Sequence, residues 1–155
     1  MKKSDRISDF VKELAPTSEL VATGLDPRYL GYIICFNRGE YYEAHDVLED
    51  LWLKTTGADY GFYKGLIQIA GAFVHLRKQH EHPQHHKHGR RLYPATRLFH
   101  LGMTNINPFS PLHYGLNIDI LIRLCAKKRD AICESDFKIN PWNPHSLPQL
   151  RLELP

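Results

Sequence analysis

The sequence lacks the features of secreted and membrane proteins. Its three cysteines, Cys35, Cys125 and Cys133, are an odd number without a Cys-x-x-Cys pair, which favours reduced thiols over a disulfide framework. No stretch approaches the ~20 apolar residues of a membrane-spanning helix, and the N-terminus has no apolar signal segment. These absences predict a cytoplasmic protein with no membrane partner.

An excess of charge of one sign is also missing. Twenty Lys and Arg residues against 17 Asp and Glu leave a formal net charge of +3. The basic residues form no stripe interleaved with aromatic side chains, so we expect no nucleic-acid partner. Ten histidines nevertheless predict that the electrostatics depend on pH below about pH 6.5.

Motifs of the common enzyme classes are absent as well. There is no Gly-rich phosphate loop, no Gly-x-Ser-x-Gly turn and no cysteine with a base adjacent in sequence. What remains is an ordinary globular composition, 43% hydrophobic and 24% charged, in a chain of 155 residues. That length corresponds to about one domain.

The apolar residues repeat with the period of helices and not of strands. Asp26 and Pro27 predict a helix start, and the segment 37–39, which ends in Gly39, predicts its end. Further helices are expected at about 40–54, 60–80, 92–102 and 112–133, with a short amphipathic one at 5–14. The prediction is an all-α, single-domain bundle of about five helices over residues 1–136. Four prolines predict an extended Pro-rich C-terminal tail over residues 137–155.

Most residues of the predicted second helix fall into two groups, an apolar one and a charged one. One arc is the expected core stripe, and it contains Tyr41, Ala44, Leu48, Leu51 and Trp52. On the opposite side, Glu43, Asp46 and Asp50 are expected to face water. His45 and Glu49 belong to neither group and lie one turn apart, where an imidazole and a carboxylate can share a proton or a metal ion. The alternative is a hydrogen-bonded pair that fixes helix packing.

The predicted third helix is apolar around most of its circumference except for one narrow stripe, which contains Lys64, Gln68, Gly71, Ala72 and His75. A short turn before this helix predicts antiparallel packing on the second helix, which would bring His75 towards His45 and Gln68 towards Glu49. His45, Glu49 and His75 would then supply two nitrogens and one carboxylate, a set suited to Zn, Fe or Mn. The alternative is a purely structural polar network, because an unpaired buried polar group costs ~1–3 kcal/mol.

Three further residues are candidates for contacts with a ligand. Lys64 would neutralise an acidic ligand or simply reach solvent along its apolar stem. Tyr41 and Trp52 would line the ligand or belong to the core. The His-rich segment 80–88 is expected to be a solvated loop, with weak binding of Zn, Ni or Cu as the alternative.

Two segments carry a family resemblance. FNRGEYYEAHDVLEDLW (36–52) and FYKGLIQIAGAFVHLRK (62–78) resemble the family catalogued as domain of unknown function family 309. The matching residues are Phe36, Asn37, Gly39, Tyr41, Glu43, Ala44, His45, Leu48, Glu49, Trp52, Gly65, Leu66, Ile67, Gln68 and His75. Arg90 stands where the family has Ala, and the long His-rich loop is a further departure. The resemblance implies an all-helical prokaryotic protein without an established activity.

The leading functional hypothesis is a small-molecule or divalent-metal site. His45, Glu49, Gln68 and His75 would line it, with Tyr41, Trp52 and Lys64 around them. In an enzyme, a metal-dependent hydrolase for example, His45 and Glu49 would be the acid–base pair or the metal ligands that activate water. The alternative is a structural or protein-interaction module, and a homo-oligomer is compatible with either hypothesis.

Overall fold

A computed structural model describes residues 23–86 and 88–154. Five α-helices form this part of the chain: α1 (Pro27–Asn37), α2 (Tyr41–Leu53), α3 (Tyr60–Glu81), α4 (Leu92–Ile106) and α5 (Ile118–Glu134). Between α4 and α5 lie a 3₁₀ turn (Asn107–Phe109) and an antiparallel hairpin of strands β1 (Leu112–His113) and β2 (Leu116–Asn117). The mostly helical architecture confirms the predicted all-α class. The helix expected at 5–14 lies outside the described residues.

The start of the last helix was predicted wrongly. A helix was expected from residue 112, but α5 begins at Ile118, where the Asn117 side chain caps it by accepting a hydrogen bond from Ile120 N at 3.0 Å. Tyr114 and Gly115 precede the cap with positive φ angles of 48° and 76°. Two consecutive residues with positive φ form a tight hairpin turn and cannot belong to an α-helix. By contrast, α1 begins at Pro27 after an Asp26 cap, as predicted.

The helices pack in chain order, each on the next, and α3 is the central one. The rings of Phe36, Tyr41 and Phe99 lie around Phe73 of α3, with centroid distances between 5.0 and 5.2 Å. All four rings are fully buried or nearly so. Aromatic pairs at such distances add to the free energy of area burial. Ten of the 22 residues of α3 are buried, which agrees with the largely apolar circumference that its sequence predicts.

Residues 137–154 contain no helix and pack on α1 and α2, on α4 through Phe137 and on β2 through Leu152. Trp142 and Leu150 lie in the same hydrophobic core as the helices. Trp142 Nε1 donates a hydrogen bond to the Tyr41 hydroxyl at 2.9 Å. The Asn37 amide donates to Leu150 O at 2.8 Å and accepts from Leu150 N at 2.6 Å. Two residues of the family-like motif, Asn37 and Tyr41, therefore hold this C-terminal segment.

The thiols are free, as the sequence predicted. Cys35 and Cys125 are buried, whereas Cys133 is exposed on α5. Within residues 23–86 and 88–154, no helix combines the length and the apolar character that crossing a membrane requires.

Candidate functional site

His45 and Glu49 lie one turn apart on α2 and are both partly exposed, with 31% and 27% of their side-chain surfaces accessible. His45 Nε2 is 3.7 Å from Glu49 Oε2, and His45 Nδ1 is 3.4 Å from Asp46 Oδ1. The imidazole also stacks against the exposed Tyr42 ring, with the centroids 6.4 Å apart. Each ring nitrogen of His45 therefore has a carboxylate within ion-pair distance.

The opposite side of α2 is less exposed than predicted. Asp50 was expected to face water, yet only 12% of its side chain is accessible. Arg28 at the start of α1 donates to Asp50 Oδ2 at 3.0 Å, and Lys54 lies 3.4 Å from the same oxygen. The expectation for Asp50 is wrong because a helical wheel of α2 does not show that α1 packs against this side.

The narrow stripe predicted on α3 contacts α4 through Gly71 and Gln68. A Cβ atom on Gly71 would lie 3.1 Å from Leu98 Cδ1 of α4. One on Gly65 would lie 2.9 Å from the carbonyl oxygen of Gly102, also on α4. The absence of side chains at Gly71 and at Gly65, which lies outside the predicted stripe, lets the two helices approach closely.

Gln68 belongs to the same contact between α3 and α4. Its Oε1 accepts a hydrogen bond from Asn105 Nδ2 of α4 at 2.7 Å. The expectation that Gln68 would lie near Glu49 is therefore wrong, because the Gln68 side chain is bonded to α4 on the other side of α3.

His75 is held by Arg91 just before α4. Its Nδ1 is 3.0 Å from Arg91 Nη1. Burial, together with the positive charge of Arg91, lowers the pKa of His75 to about 4. The neutral imidazole accordingly accepts a hydrogen bond from the guanidinium. Arg91 also contacts His88 Nδ1 at 2.5 Å, and its backbone N–H donates to Gln79 Oε1 at 2.7 Å. One end of the His-rich loop is therefore packed on the bundle.

The predicted metal ligands do not form one cluster. In the described ranges 23–86 and 88–154, no group of three or more His, Cys, Asp or Glu side chains is placed to share a metal ion. His45 and Glu49 form a pair on α2, whereas His75 is bonded to a guanidinium, whose charge repels a metal cation. The donor set of His45, Glu49 and His75 for Zn, Fe or Mn finds no support in this arrangement.

The three second-tier candidates occupy different environments. Tyr41 is buried in the aromatic core, and burial raises its pKa to about 12. Trp52 is partly buried and contacts the ring of Tyr60 at a centroid distance of 5.2 Å. Lys64 is partly exposed on α3 and forms no ion pair or side-chain hydrogen bond with the described residues. Of the three, Tyr41 reaches the cleft that lies next to His45.

This cleft, called the polar cleft below, lies between the first turn of α2 and the last turns of α3. It has a volume of about 340 Å³ and is lined by three carboxylates, three basic side chains and the Tyr42 ring. Arg77 and Glu81 are paired at 2.6 Å, and Arg77 Nη1 donates to Gly39 O at 2.5 Å. The side chains of Glu40, Glu43 and Lys78 form no ion pair or hydrogen bond with the residues that the structure describes.

A second polar cluster was missed by the sequence analysis. His113 Nε2 is 2.9 Å from Asp59 Oδ1, and the Tyr114 hydroxyl donates to Asp59 Oδ2. The hydrogen bond with Asp59 raises the pKa of Tyr114. Asp59 is 54 and 55 residues from its partners, so no short-range spacing signals the cluster. It ties the hairpin before α5 to the start of α3.

Comparison with known families concerns the first three helices. The family model described as Domain of unknown function (DUF309) matches residues 29–85. This segment contains the His45–Glu49 pair and every residue that lines the polar cleft. No curated protein and no solved structure matches the chain. The match to DUF309 over residues 29–85 confirms the resemblance carried by the motifs of α2 and α3.

Proposed function

We propose that the protein binds a small polar molecule in the polar cleft, with the His45–Glu49 pair at its border. One observation carries this proposal: Glu40, Glu43 and Lys78 line a concave surface without pairing with each other or with other described residues. Convergent polar groups in a pocket are the usual means of orienting a small ligand.

The charges of the cleft favour a zwitterionic ligand. The two glutamates belong to the start of α2, and Lys78 belongs to the end of α3. A molecule with an ammonium group and a carboxylate would pair with both sides at once. The Tyr42 ring, 59% exposed, offers a face for the cationic group. The volume of about 340 Å³ leaves room for a ligand the size of an amino acid or larger.

The His45–Glu49 pair stands beside this cleft because His45 stacks on Tyr42, one of the lining residues. In a binding protein the pair would hold a polar group of the ligand that extends past Tyr42. An acid–base role at the same place is the enzymatic form of the proposal. A metal-dependent hydrolase would need a third ligand near His45 and Glu49, and His75 does not supply it.

Calorimetric titration tests the proposal with L-lysine, L-glutamate, L-alanine, methylamine and acetate as probes. We expect an amino acid to bind, and methylamine and acetate to bind more weakly because each pairs with one side only. Glu43→Gln and Lys78→Gln should each weaken binding about tenfold, the equivalent of ~1.4 kcal/mol. Glu134→Gln, a matched charge change on the exposed end of α5, should leave binding unchanged. Equal binding by all variants, or none with any probe, would contradict the proposal.

A second function, a structural or protein-interaction module, is favoured by the contacts of the motif with the C-terminal segment. Asn37 and Tyr41 bond to residues 150 and 142, and a Cβ on Gly39 would lie 3.2 Å from Leu147. In this function the motif preserves the fold and a partner binds elsewhere. Loss of stability in Asn37→Ala, combined with no ligand effect in Glu43→Gln, would support it. The cytoplasmic location and a homo-oligomer stay predictions.

A further inference from the structure

A second groove, of about 380 Å³, lies between α4 and α5. It is outside the segment that the family model matches and separate from the polar cleft. The groove is lined by Thr96, Arg97, His100 and Leu101 of α4 and by Arg129 and Cys133 of α5.

The charged residues in the lining of this groove are basic. Arg97 is exposed and forms no ion pair or side-chain hydrogen bond with the described residues. Arg129 Nη2 lies 3.2 Å from Asp130 Oδ1, and that carboxylate is 55% exposed. Such an exposed pair is weak, so Arg129 can exchange it for another anion. Among the described residues that line the groove, none is acidic.

The groove also offers apolar contacts. Leu101 is 40% exposed beside Arg97. The Thr96 hydroxyl does not offer its proton to a ligand in the groove, because it already donates a hydrogen bond to Tyr93 O at 2.6 Å. One turn before Arg97, the exposed Tyr93 ring packs against Phe137 at a centroid distance of 5.8 Å, which extends the apolar surface along α4. The groove thus combines guanidinium groups with carbon surface.

We propose that this groove binds a small organic anion, in which a carboxylate or phosphate is attached to an apolar group. Arg97 and Arg129 pair with the anion, because planar guanidinium groups form parallel hydrogen bonds to carboxylate and phosphate oxygens. Leu101 contacts the apolar part. His100, on the same face of α4, supplies a further donor.

Cys133 provides a built-in reporter for the groove. It is the exposed thiol on its wall, whereas Cys35 and Cys125 are buried. Burial raises the pKa of Cys35 to about 12 and raises that of Cys125 further. A disulfide reagent therefore reacts at Cys133: the thiolate attacks one sulfur, a mixed disulfide forms, and the other half of the reagent leaves as a thiolate.

The experiment compares the rates of two reagents, the dianionic 5,5′-dithiobis(2-nitrobenzoate) and the neutral 2,2′-dithiodipyridine. We expect Arg97→Gln and Arg129→Gln each to lower the ratio of the anionic to the neutral rate at least about threefold, because local positive charge concentrates anions. Arg123→Gln removes the same charge from α5 outside the groove and should leave the ratio unchanged.

A second experiment measures ligand binding by the protection of Cys133 from the disulfide reagent. Benzoate and phenyl phosphate should slow the reaction of Cys133 with the neutral reagent, and benzyl alcohol should not. Protection by only one of the two anions identifies the carboxylate or the phosphate as the recognised group. An equal fall of the ratio in all three arginine variants would reduce the effect to net charge and overturn the proposal. An unchanged ratio in Arg97→Gln and Arg129→Gln, or no protection by either anion, would overturn it too.

Discussion

The two sides of α3 use polar residues in opposite ways. Towards α4, Gln68 and His75 are bonded to partners, and Gly65 lets the helices touch. Towards α2, Lys78 borders an open cleft without a partner among the described residues. A polar residue on an apolar helix is thus a packing element on one side of α3 and a candidate binding group on the other.

The two motif histidines also differ in the charge of their neighbours. His45 lies between the carboxylates of Asp46 and Glu49 and is partly exposed. His75 is half-buried beside the guanidinium of Arg91. The first imidazole is placed where a proton or a ligand can reach it, and the second is a neutral acceptor. Four sets of substitutions test how differently these regions respond, and the largest expected change in the free energy of unfolding comes first.

The contact between α3 and α4 should be the side that least tolerates added volume. A Cβ on Gly65 would lie 2.5 Å from Ile106 Cγ2 and 2.9 Å from a backbone oxygen, so Gly65→Val should lower the free energy of unfolding by ~3 kcal/mol or more. At Gly61, one turn earlier on the same contact, the nearest atom is Asn105 O at 3.9 Å, so Gly61→Ala should be neutral or stabilising by up to ~1 kcal/mol. Denaturant unfolding measures both. Similar stabilities of the two variants would remove the contrast.

His75 should make stability depend on pH. Its pKa is about 4 in the folded protein, below the ordinary 6.5, so the unfolded chain binds more protons between these values. The free energy of unfolding therefore falls as the pH decreases from 6.5 to about 4, by up to ~3 kcal/mol from this residue. His75→Gln keeps an acceptor for Arg91 but does not titrate, and its unfolding free energy should fall less in this window. Equal pH slopes in both proteins would show that His75 is not held neutral.

The C-terminal segment is anchored on Tyr41 at the start of α2, a residue that also lines the polar cleft. Trp142→Phe removes the hydrogen bond to the Tyr41 hydroxyl and should cost ~1–2 kcal/mol. Tyr41→Phe removes the same bond, so a double-mutant cycle should give a coupling energy of ~1 kcal/mol. Additive losses in the cycle would mean that this bond does not anchor the segment.

His45→Gln should have the smallest effect on stability. An exposed ion pair contributes ~0–1 kcal/mol, so we expect a loss below ~0.5 kcal/mol in thermal or denaturant unfolding. Glu49→Gln removes the charge of the other member of the pair, and we expect an equally small loss of stability. A loss above ~2 kcal/mol in either variant would assign the pair to packing and favour the structural alternative.

Local signals in the sequence were sufficient for most of the helices and for half of the site. The Asp26 cap, the glycine at position 39 and the apolar period located α1, α2 and α3 to within one or two residues. The His45–Glu49 pair follows from their spacing on one helix. The hairpin before α5 was missed because its strands are only two residues long, too short for an alternating pattern.

The helical wheel also separated Gln68, Gly71 and His75 from the apolar residues of α3, but it assigned them to the wrong neighbour. The wheel gives the angle between side chains of one helix and carries no information on how that helix is rotated against the next. Arg91 and Asn105, which are the actual partners, lie 16 and 37 residues further along the chain. Nothing in the sequence of α3 distinguishes them from a partner on α2.

The sequence by itself determined the helical class, the resemblance of residues 29–85 to DUF309 and the spacing of His45 and Glu49, because caps, periodicity and motif spacing act within one or two turns of chain. Only the tertiary structure decided that His75 faces a guanidinium, that Asn37 and Tyr41 hold the C-terminal segment, and that the polar cleft forms at the ends of α2 and α3. These features depend on the rotation and offset of whole helices, which the combined packing of the core determines.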